Sequence, residues 1–539
     1  MRIDYRILLV ILLALSLRLV NLSSVPKWDP DENANVNYAV NLMAGTPRLF
    51  AYKYHFIPHP PAYFLSLILP IKLLGPGMLA IRIFSVVMSL IGMIIVYAIV
   101  SRILGAGYGF LAGLLYALTP ELVFWGRMGF ANNCLSVLVL ASIYFLQNFL
   151  ESGRERDLAL SSILVGAATL VEYSGLVFVF SIALVLFWNS RKHLFKSLFL
   201  SLAPLIIFVS LMLLFDSNGF LRDFQKFSRL YLLVVLGSPI LLLVLSRFSG
   251  RLLEYVDSLY AGNSGVRAEF VLFIPLILYS LMPVDHKMIL SGVFSSFFIM
   301  SLMGLFVISN DNLRRIVFVY LHSYLLFLLM VNRADHMLIP VVYILSITPV
   351  FFLKRVINHL AAVHPRRVVV LTAIPFIFTF WCGVEAFVFC QASMTPVQEV
   401  MMMNDFIDQR VVEGDFVAFT MITPDTKADE VSFRQIFSYY GLNLIPYDRY
   451  LVGTSPSDFT RNLSVENIDY AVFPVWVLND LNGTEFSPLL DTVSNWSMVY
   501  EIESSQQRPP GLRTSFMDYL GFPTSNHVHY VVFENPERI

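Results

Sequence analysis

Apolar runs of membrane-spanning length recur from residue 7 to residue 390, separated by short polar connections. A hydrocarbon core about 30 Å thick takes roughly 20 apolar helical residues to cross, so these runs predict transmembrane helices. The spans fall near 7–22, 79–100, 104–122, 133–150, 158–173, 174–190, 197–215, 230–246, 270–283, 288–308, 314–331, 337–353 and 367–390, about thirteen helices. The first is flanked by Arg2 and Arg6 but is followed by no clear small-x-small cleavage site, and it reads as a retained helix. A long loop of about 23–78 comes next. Within it Tyr63–Leu74 is apolar but short, bounded by Pro60-Pro61 and Gly75-Pro76-Gly77, which predicts an interfacial or re-entrant helix. Beyond residue 390 the chain turns polar. Strand-like runs at Phe416–Met421, Tyr470–Leu478 and Val528–Phe533 alternate there with helical patterns at Pro396–Val411, Glu430–Tyr440 and Ser457–Ile468. That alternation predicts a small α/β domain with part of its sheet parallel. The expected architecture is a polytopic all-α membrane bundle over 1–390, then an α/β domain over 391–539.

Composition agrees with the pattern. Hydrophobic residues make up 57% of the chain and charged residues 14%, which excludes an ordinary soluble protein. A net charge of −1 gives no basic footprint for nucleic acid. Cys134, Cys382 and Cys390 all lie in or beside apolar segments, so neither a disulfide framework nor a cysteine zinc site is expected. Lys and Arg set the orientation. With a cytoplasmic N-terminus, the inside connections carry Arg154/Arg156, Arg191/Lys192/Lys196, Arg247/Arg251/Arg267, Arg314/Arg315 and Lys354/Arg355/Arg366/Arg367. The outside loops are poorer in basic residues, except 216–230 with Arg222, Lys226 and Arg229. Thirteen spans then put the C-terminal domain outside a plasma membrane. Asn-x-Ser/Thr sequons at Asn462, Asn482 and Asn495 fit an external domain, and Asn21 begins another beside the first helix.

Candidate chemistry concentrates in the first outside loop. Asp29, Asp31 and Glu32 stand within four residues at the lip of the first span. Carboxylates are costly near a bilayer, so a cluster there points to a water-filled pocket and to acid/base work on a hydroxyl. The Asp-x-Asp spacing also suits a divalent cation, although two carboxylates are a weak metal signal, and the competing reading is an acidic N-cap for a helix over Glu32–Leu42. His59, ahead of Pro60-Pro61-Ala62-Tyr63, is placed to meet a phosphate at headgroup level. Arg333-Ala334-Asp335-His336 and Asp285-His286-Lys287 read as rim residues of the same cavity or as ordinary polar loops. Arg18, alone in a span-flanking position, reads as a snorkelling anchor.

The order Asp31-Glu32, then Tyr38-Ala-Val-Asn-Leu-Met-Ala-Gly45, then His59-Pro60-Pro61, then Arg82-Ile-Phe-Ser85 resembles the polyprenyl-phosphate-sugar-dependent glycosyltransferases of GT-C fold. It is most similar to the protein O-mannosyltransferase and lipid A aminoarabinose transferase superfamily. Gly126-Arg127-Met128 and Met337-Leu338-Ile339-Pro340 extend the likeness, which is strong to about residue 135 and looser beyond. The resemblance implies Asp31 as the catalytic base, with Glu32 in support; Asp29 or Glu172 is the candidate partner acid. It implies His59 near the donor phosphate, and Arg82 and Arg127 as recurrent arginines that either neutralise the phosphate leaving group or anchor loops; Tyr38, Tyr63, Arg333 and His336 complete the candidate substrate-binding set. Departures occur at Asn132, where relatives commonly carry Asp, at Glu172-Tyr173 in place of Lys before Tyr, and at Asp335-His336 in place of Arg-Tyr. The implied reaction moves a sugar from a polyprenyl phosphate to a hydroxyl of protein, lipid or glycan, with inversion and no required cofactor. A transporter or lipid flippase, or a membrane scaffold with an external binding domain, are the competing readings; an oligosaccharyltransferase is a closer rival, but the Trp-Trp-Asp signature of that family is absent.

Overall fold

The computed structural model describes residues 5–22, 30–43, 60–75, 77–215, 217, 296–330, 335–363, 380 and 384, and in the C-terminal region 417–421, 432–433, 470–474, 495–507, 525–534 and 536. Labelled in order among these residues, the helices are α1 Tyr5–Leu19, α2 Pro30–Met43, α3 Ala62–Leu74, α4 Met78–Leu104, α5 Ala106–Leu118, α6 Pro120–Trp125, α7 Ala131–Ser152, α8 Glu155–Val171, α9 Leu176–Asn189, α10 Leu194–Phe215, α11 Ser296–Phe306, α12 Asp311–Met330, α13 Ile339–Leu345 and α14 Pro349–Val363. Among the described residues four stretches are long and apolar enough to cross a membrane: Leu79–Leu104, Ala131–Ser152, Arg191–Leu211 and His336–Asn358. The chain is an integral membrane protein. The expected spans 230–246, 270–283 and most of 367–390 lie outside the described residues, as do Asp285-His286-Lys287 and the helical patterns 396–411 and 457–468.

The chain divides into two compact units: Met1–Val20, Tyr54–Tyr63 and Ile83–Phe389 form the first, and Asn21–Lys53, Phe64–Arg82 and Cys390–Ile539 form the second. The first unit is a bundle of apolar helices. Two of its expected spans are broken. The span 104–122 divides at Thr119-Pro120, because Pro120 has no N–H to give back to the Tyr116 carbonyl. The span 337–353 divides at Ser346–Thr348, ahead of Pro349. Small residues let the helices approach closely, as expected where hydrocarbon supplies no hydrophobic push. Ser162 and Gly166 on α8 meet Ser197 and Ser201 on α10: the two hydroxyls Ser162 and Ser197 are 2.7 Å apart, and a Cβ on Gly166 would stand 2.6 Å from the Ser201 carbonyl oxygen. Deeper in, Ser142 bonds Ser161 at 2.8 Å and Tyr320 at 3.1 Å, and Phe178 stacks on Tyr324.

At one end of this unit polar side chains tie the helices together. Arg102 of α4 bonds Asn148 and Glu151 of α7, and Asn310 donates to the same Glu151 carboxylate. Arg315 of α12 reaches Asn189 of α9, and Lys196 of α10 pairs with Glu155 of α8. Several of these residues come from connections that the charge pattern assigns to one side of the membrane.

In the second unit five strands, β1 Val417–Met421, β2 Ser432–Phe433, β3 Tyr470–Pro474, β4 Ser497–Gln507 and β5 Ser525–Glu534, form one sheet in the order β2-β1-β3-β5-β4. β1 and β3 run parallel, and the other pairs are antiparallel. Ser432–Phe433 falls inside the expected helix Glu430–Tyr440 and is a strand instead, held by pairing with Thr420–Met421. β4 has no counterpart among the expected strands.

Candidate functional site

The loop after α1 places its acidic residues at the start of α2. Pro30 is the first helical residue, where its fixed φ is already helical and its missing N–H costs nothing. Asp31 and Glu32 follow at the positive end of the helix dipole. The buried stripe of α2 is Glu32, Asn35, Val36 and Ala39, one face at helical spacing. A carboxylate heading a buried stripe needs a strong partner, and Arg82 at the start of α4 supplies it. Arg82 Nε donates to Glu32 Oε1 at 2.9 Å and Nη2 to Oε2 at 2.6 Å, with both side chains 0% exposed. Nη1 of the same guanidinium donates to the Leu22 carbonyl at 3.0 Å. This is a bidentate fork in which Glu32 accepts at both oxygens.

In the first unit a second set of motif residues converges on the turn 126–130. Tyr63, at the start of α3, is fully buried and donates its hydroxyl to the Gly129 carbonyl at 2.7 Å, so the Pro60-Pro61 corner is pinned to that turn. Arg127 donates to the carbonyls of Leu17 and Val20 at 3.1 and 2.5 Å, capping the C-terminal end of α1, where a cation also meets the negative end of the dipole. Gly126 lies against α4: a Cβ there would stand 2.5 Å from Ser89 Oγ. Asn133 holds the turn from within, donating to the Trp125 and Met128 carbonyls at 2.8 Å each and accepting from the Tyr343 hydroxyl at 2.9 Å. His336 stacks on Phe130 with ring centres 4.7 Å apart.

Arg18 corrects its sequence reading. It does not snorkel; it is 0% exposed and ties α1 to α4, α5 and α6. Its nitrogens reach Ser89 Oγ and the carbonyls of Ala14, Tyr116, Ala117 and Leu122 at 3.0–3.3 Å. The Tyr116 carbonyl is the one that Pro120 leaves without its helical donor, so the broken helix and the buried arginine satisfy each other.

Thus Glu32 meets Arg82, Tyr63 meets the turn beside Arg127, and His336 meets Phe130. Asp29, His59 and Arg333 lie outside the described residues, as do the side chains of Asp31 and Tyr38. Of the departures, Asn132 is buried with its carbonyl accepting from Ser136, and Glu172 is buried at the C-terminal end of α8. Asn133, Tyr343 and Ser89 were missed in the sequence, where each reads as an ordinary residue of an apolar span. Among the described residues no group of three His, Cys, Asp or Glu is arranged to hold a metal.

Comparison with known proteins bears on this arrangement. Residues 58–215 match the family described as dolichyl-phosphate-mannose-protein mannosyltransferase. The oligosaccharyltransferase of Archaeoglobus fulgidus, solved with Zn and sulfate, is similar over 88% of this chain and 68% of its own, with TM-score 0.53 and 12% identity. ArnT from Cupriavidus metallidurans in the apo state is similar over 98% of this chain and 97% of its own, with TM-score 0.51 and 13% identity. The chain has the GT-C fold. The family match begins just before the His59-Pro60-Pro61 corner and takes in Arg82 and Arg127, while Asp31-Glu32 lies ahead of it. No curated protein matches the chain in sequence.

Proposed function

We propose that this protein is an integral-membrane glycosyltransferase that takes a sugar from a polyprenyl phosphate, of dolichyl or undecaprenyl type, and delivers it to a hydroxyl of protein, lipid or glycan. The observation that carries the reading is the joint presence of the GT-C fold and an Asp31-Glu32 pair opening α2 in the first long loop. The matched family is named for a dolichyl-phosphate sugar donor, and the Archaeoglobus fulgidus oligosaccharyltransferase has been solved tethered to an acceptor peptide.

The chemistry follows from the donor. A polyprenyl phosphate is a leaving group already attached to the anomeric carbon, so the protein has to orient an acceptor hydroxyl and remove its proton as the new bond forms. Glu32 holds a guanidinium at both oxygens, and in this reading its neighbour Asp31 is the proton acceptor. Asp31 takes the acceptor proton, the acceptor oxygen bonds to the anomeric carbon, and the polyprenyl phosphate departs with the electron pair of the broken C–O bond. One displacement inverts the anomeric centre, with no glycosyl-enzyme. His59 meets the donor phosphate. Asp31 and the C-terminal domain face outward, with the N-terminus in the cytoplasm.

The cellular test is the mass profile of surface glycans in a strain lacking the protein. Wild type restores one sugar's mass and Asp31→Asn, inserted at equal level, does not. An unchanged profile on deletion would overturn the proposal.

A further inference from the structure

We infer that Arg82 acts through Glu32 as a positioning residue for Asp31 and is not a ligand of the donor phosphate; this rests on the transferase reading above. The resemblance leaves Arg82 either on the phosphate leaving group or as a loop anchor, and its geometry favours the second. All three guanidinium nitrogens are engaged inside the protein: Nε and Nη2 on the two oxygens of Glu32, and Nη1 on the Leu22 carbonyl. The side chain is 0% exposed, and so is that of Glu32. A phosphate could recruit this fork only by displacing a carboxylate from a bidentate pair in a dry site, leaving Glu32 buried beside a second anion.

The same contacts make Arg82 a three-way tie. It joins the first turn of α4, the first turn of α2 and the chain just past α1. Glu32 heads the buried α2 stripe formed with Asn35, Val36 and Ala39, so the ion pair sets how far α2 is seated and how it is rotated. Asp31 precedes Glu32 in the same helical turn. Fixing Glu32 therefore fixes the backbone that carries the base. A lysine at 82 keeps the charge but loses the planar fork, so it cannot hold both oxygens and the Leu22 carbonyl together.

The experiment compares wild type with Arg82→Lys and Glu32→Gln, all as full-length protein in detergent or nanodiscs. Three readouts are taken: donor binding with a polyprenyl monophosphate, kcat and KM for sugar transfer, and amide hydrogen exchange across 31–43. The positioning role predicts kcat lowered about 100-fold by either substitution, the loss typical of a small misplacement of a reacting group. Polyprenyl monophosphate affinity stays within about 3-fold of wild type, below the roughly 10-fold loss expected when a charged phosphate contact is removed. Exchange quickens in the first turns of α2. The double variant is no worse than the worse single one, because both break one unit. A fall in monophosphate affinity with kcat retained would make Arg82 a phosphate ligand and overturn the inference. Wild-type kcat with unchanged exchange would overturn it as well. A wild-type protein that transfers no sugar from any polyprenyl-phosphate donor would remove the transferase reading itself, an outcome seen before any variant is made.

Discussion

Arg18, Arg82 and Arg127 are fully buried, and each has main-chain carbonyls among its acceptors. In a protein surrounded by hydrocarbon these carbonyls have no water to turn to, so a buried arginine does there what solvent does at a soluble surface. Removing one strands several acceptors at once. Arg18→Met is accordingly expected to destabilise the protein by on the order of 3 kcal/mol, read as a lowered Tm in detergent. A side chain that merely snorkelled would lose almost nothing. The sequence made these arginines conspicuous but not their partners. Glu32 and Arg82 are 50 positions apart, and three of the four carbonyls that Arg18 reaches lie about 100 positions away. Nothing in local pattern announces such pairings. Asn133 was overlooked for the related reason that its value lies in three carbonyl and hydroxyl partners supplied by the fold.

At the scale of elements, hydropathy and proline placed most helices well. Pro60-Pro61 and Gly75 bound α3 where the pattern puts an interfacial helix, and the apolar runs at 79–100 and 133–150 become α4 and α7. The breaks inside α5–α6 and α13–α14 were not read from the apolar runs, because hydropathy is blind to which carbonyl a proline leaves open. β4 is hard to read in the sequence for a different reason: its apolar run Met498-Val499-Tyr500 is short, the rest to Gln507 is mostly polar, and its pairing with β5 defines it. Close helix contacts rest on glycine, which gives a direct test. Gly166→Ala drives a Cβ toward the Ser201 carbonyl and Pro204, and is expected to cost about 1–3 kcal/mol, whereas Gly107→Ala meets open space in α5 and leaves Tm unchanged or raised.

For the whole molecule, the polar ties Arg102–Glu151, Arg315–Asn189 and Lys196–Glu155 gather at one end of the bundle. The positive-inside rule assigns the basic connections among them to the cytoplasm. On intact cells a membrane-impermeant thiol reagent is expected to label Asn495→Cys and to leave Arg154→Cys unlabelled until the cells are opened, with the native cysteines replaced. Labelling of Arg154→Cys in intact cells would invert the topology and move Asp31 to the cytoplasmic side. The GT-C likeness was legible in the motif order up to about residue 135, where Tyr63 and Arg127 meet the turn 126–130 and its neighbours within the first unit and Glu32 meets Arg82 within the second.

The central claim is that Asp31 removes a proton from an acceptor hydroxyl while a polyprenyl phosphate departs. The most direct measurement is sugar transfer by the purified full-length protein, given a panel of polyprenyl-phosphate sugars and membrane-derived acceptors, with wild type beside Asp31→Asn. The account predicts transfer by wild type, loss of at least about 100-fold in kcat for Asp31→Asn, and donor binding retained. Transfer at the wild-type rate by Asp31→Asn would contradict it.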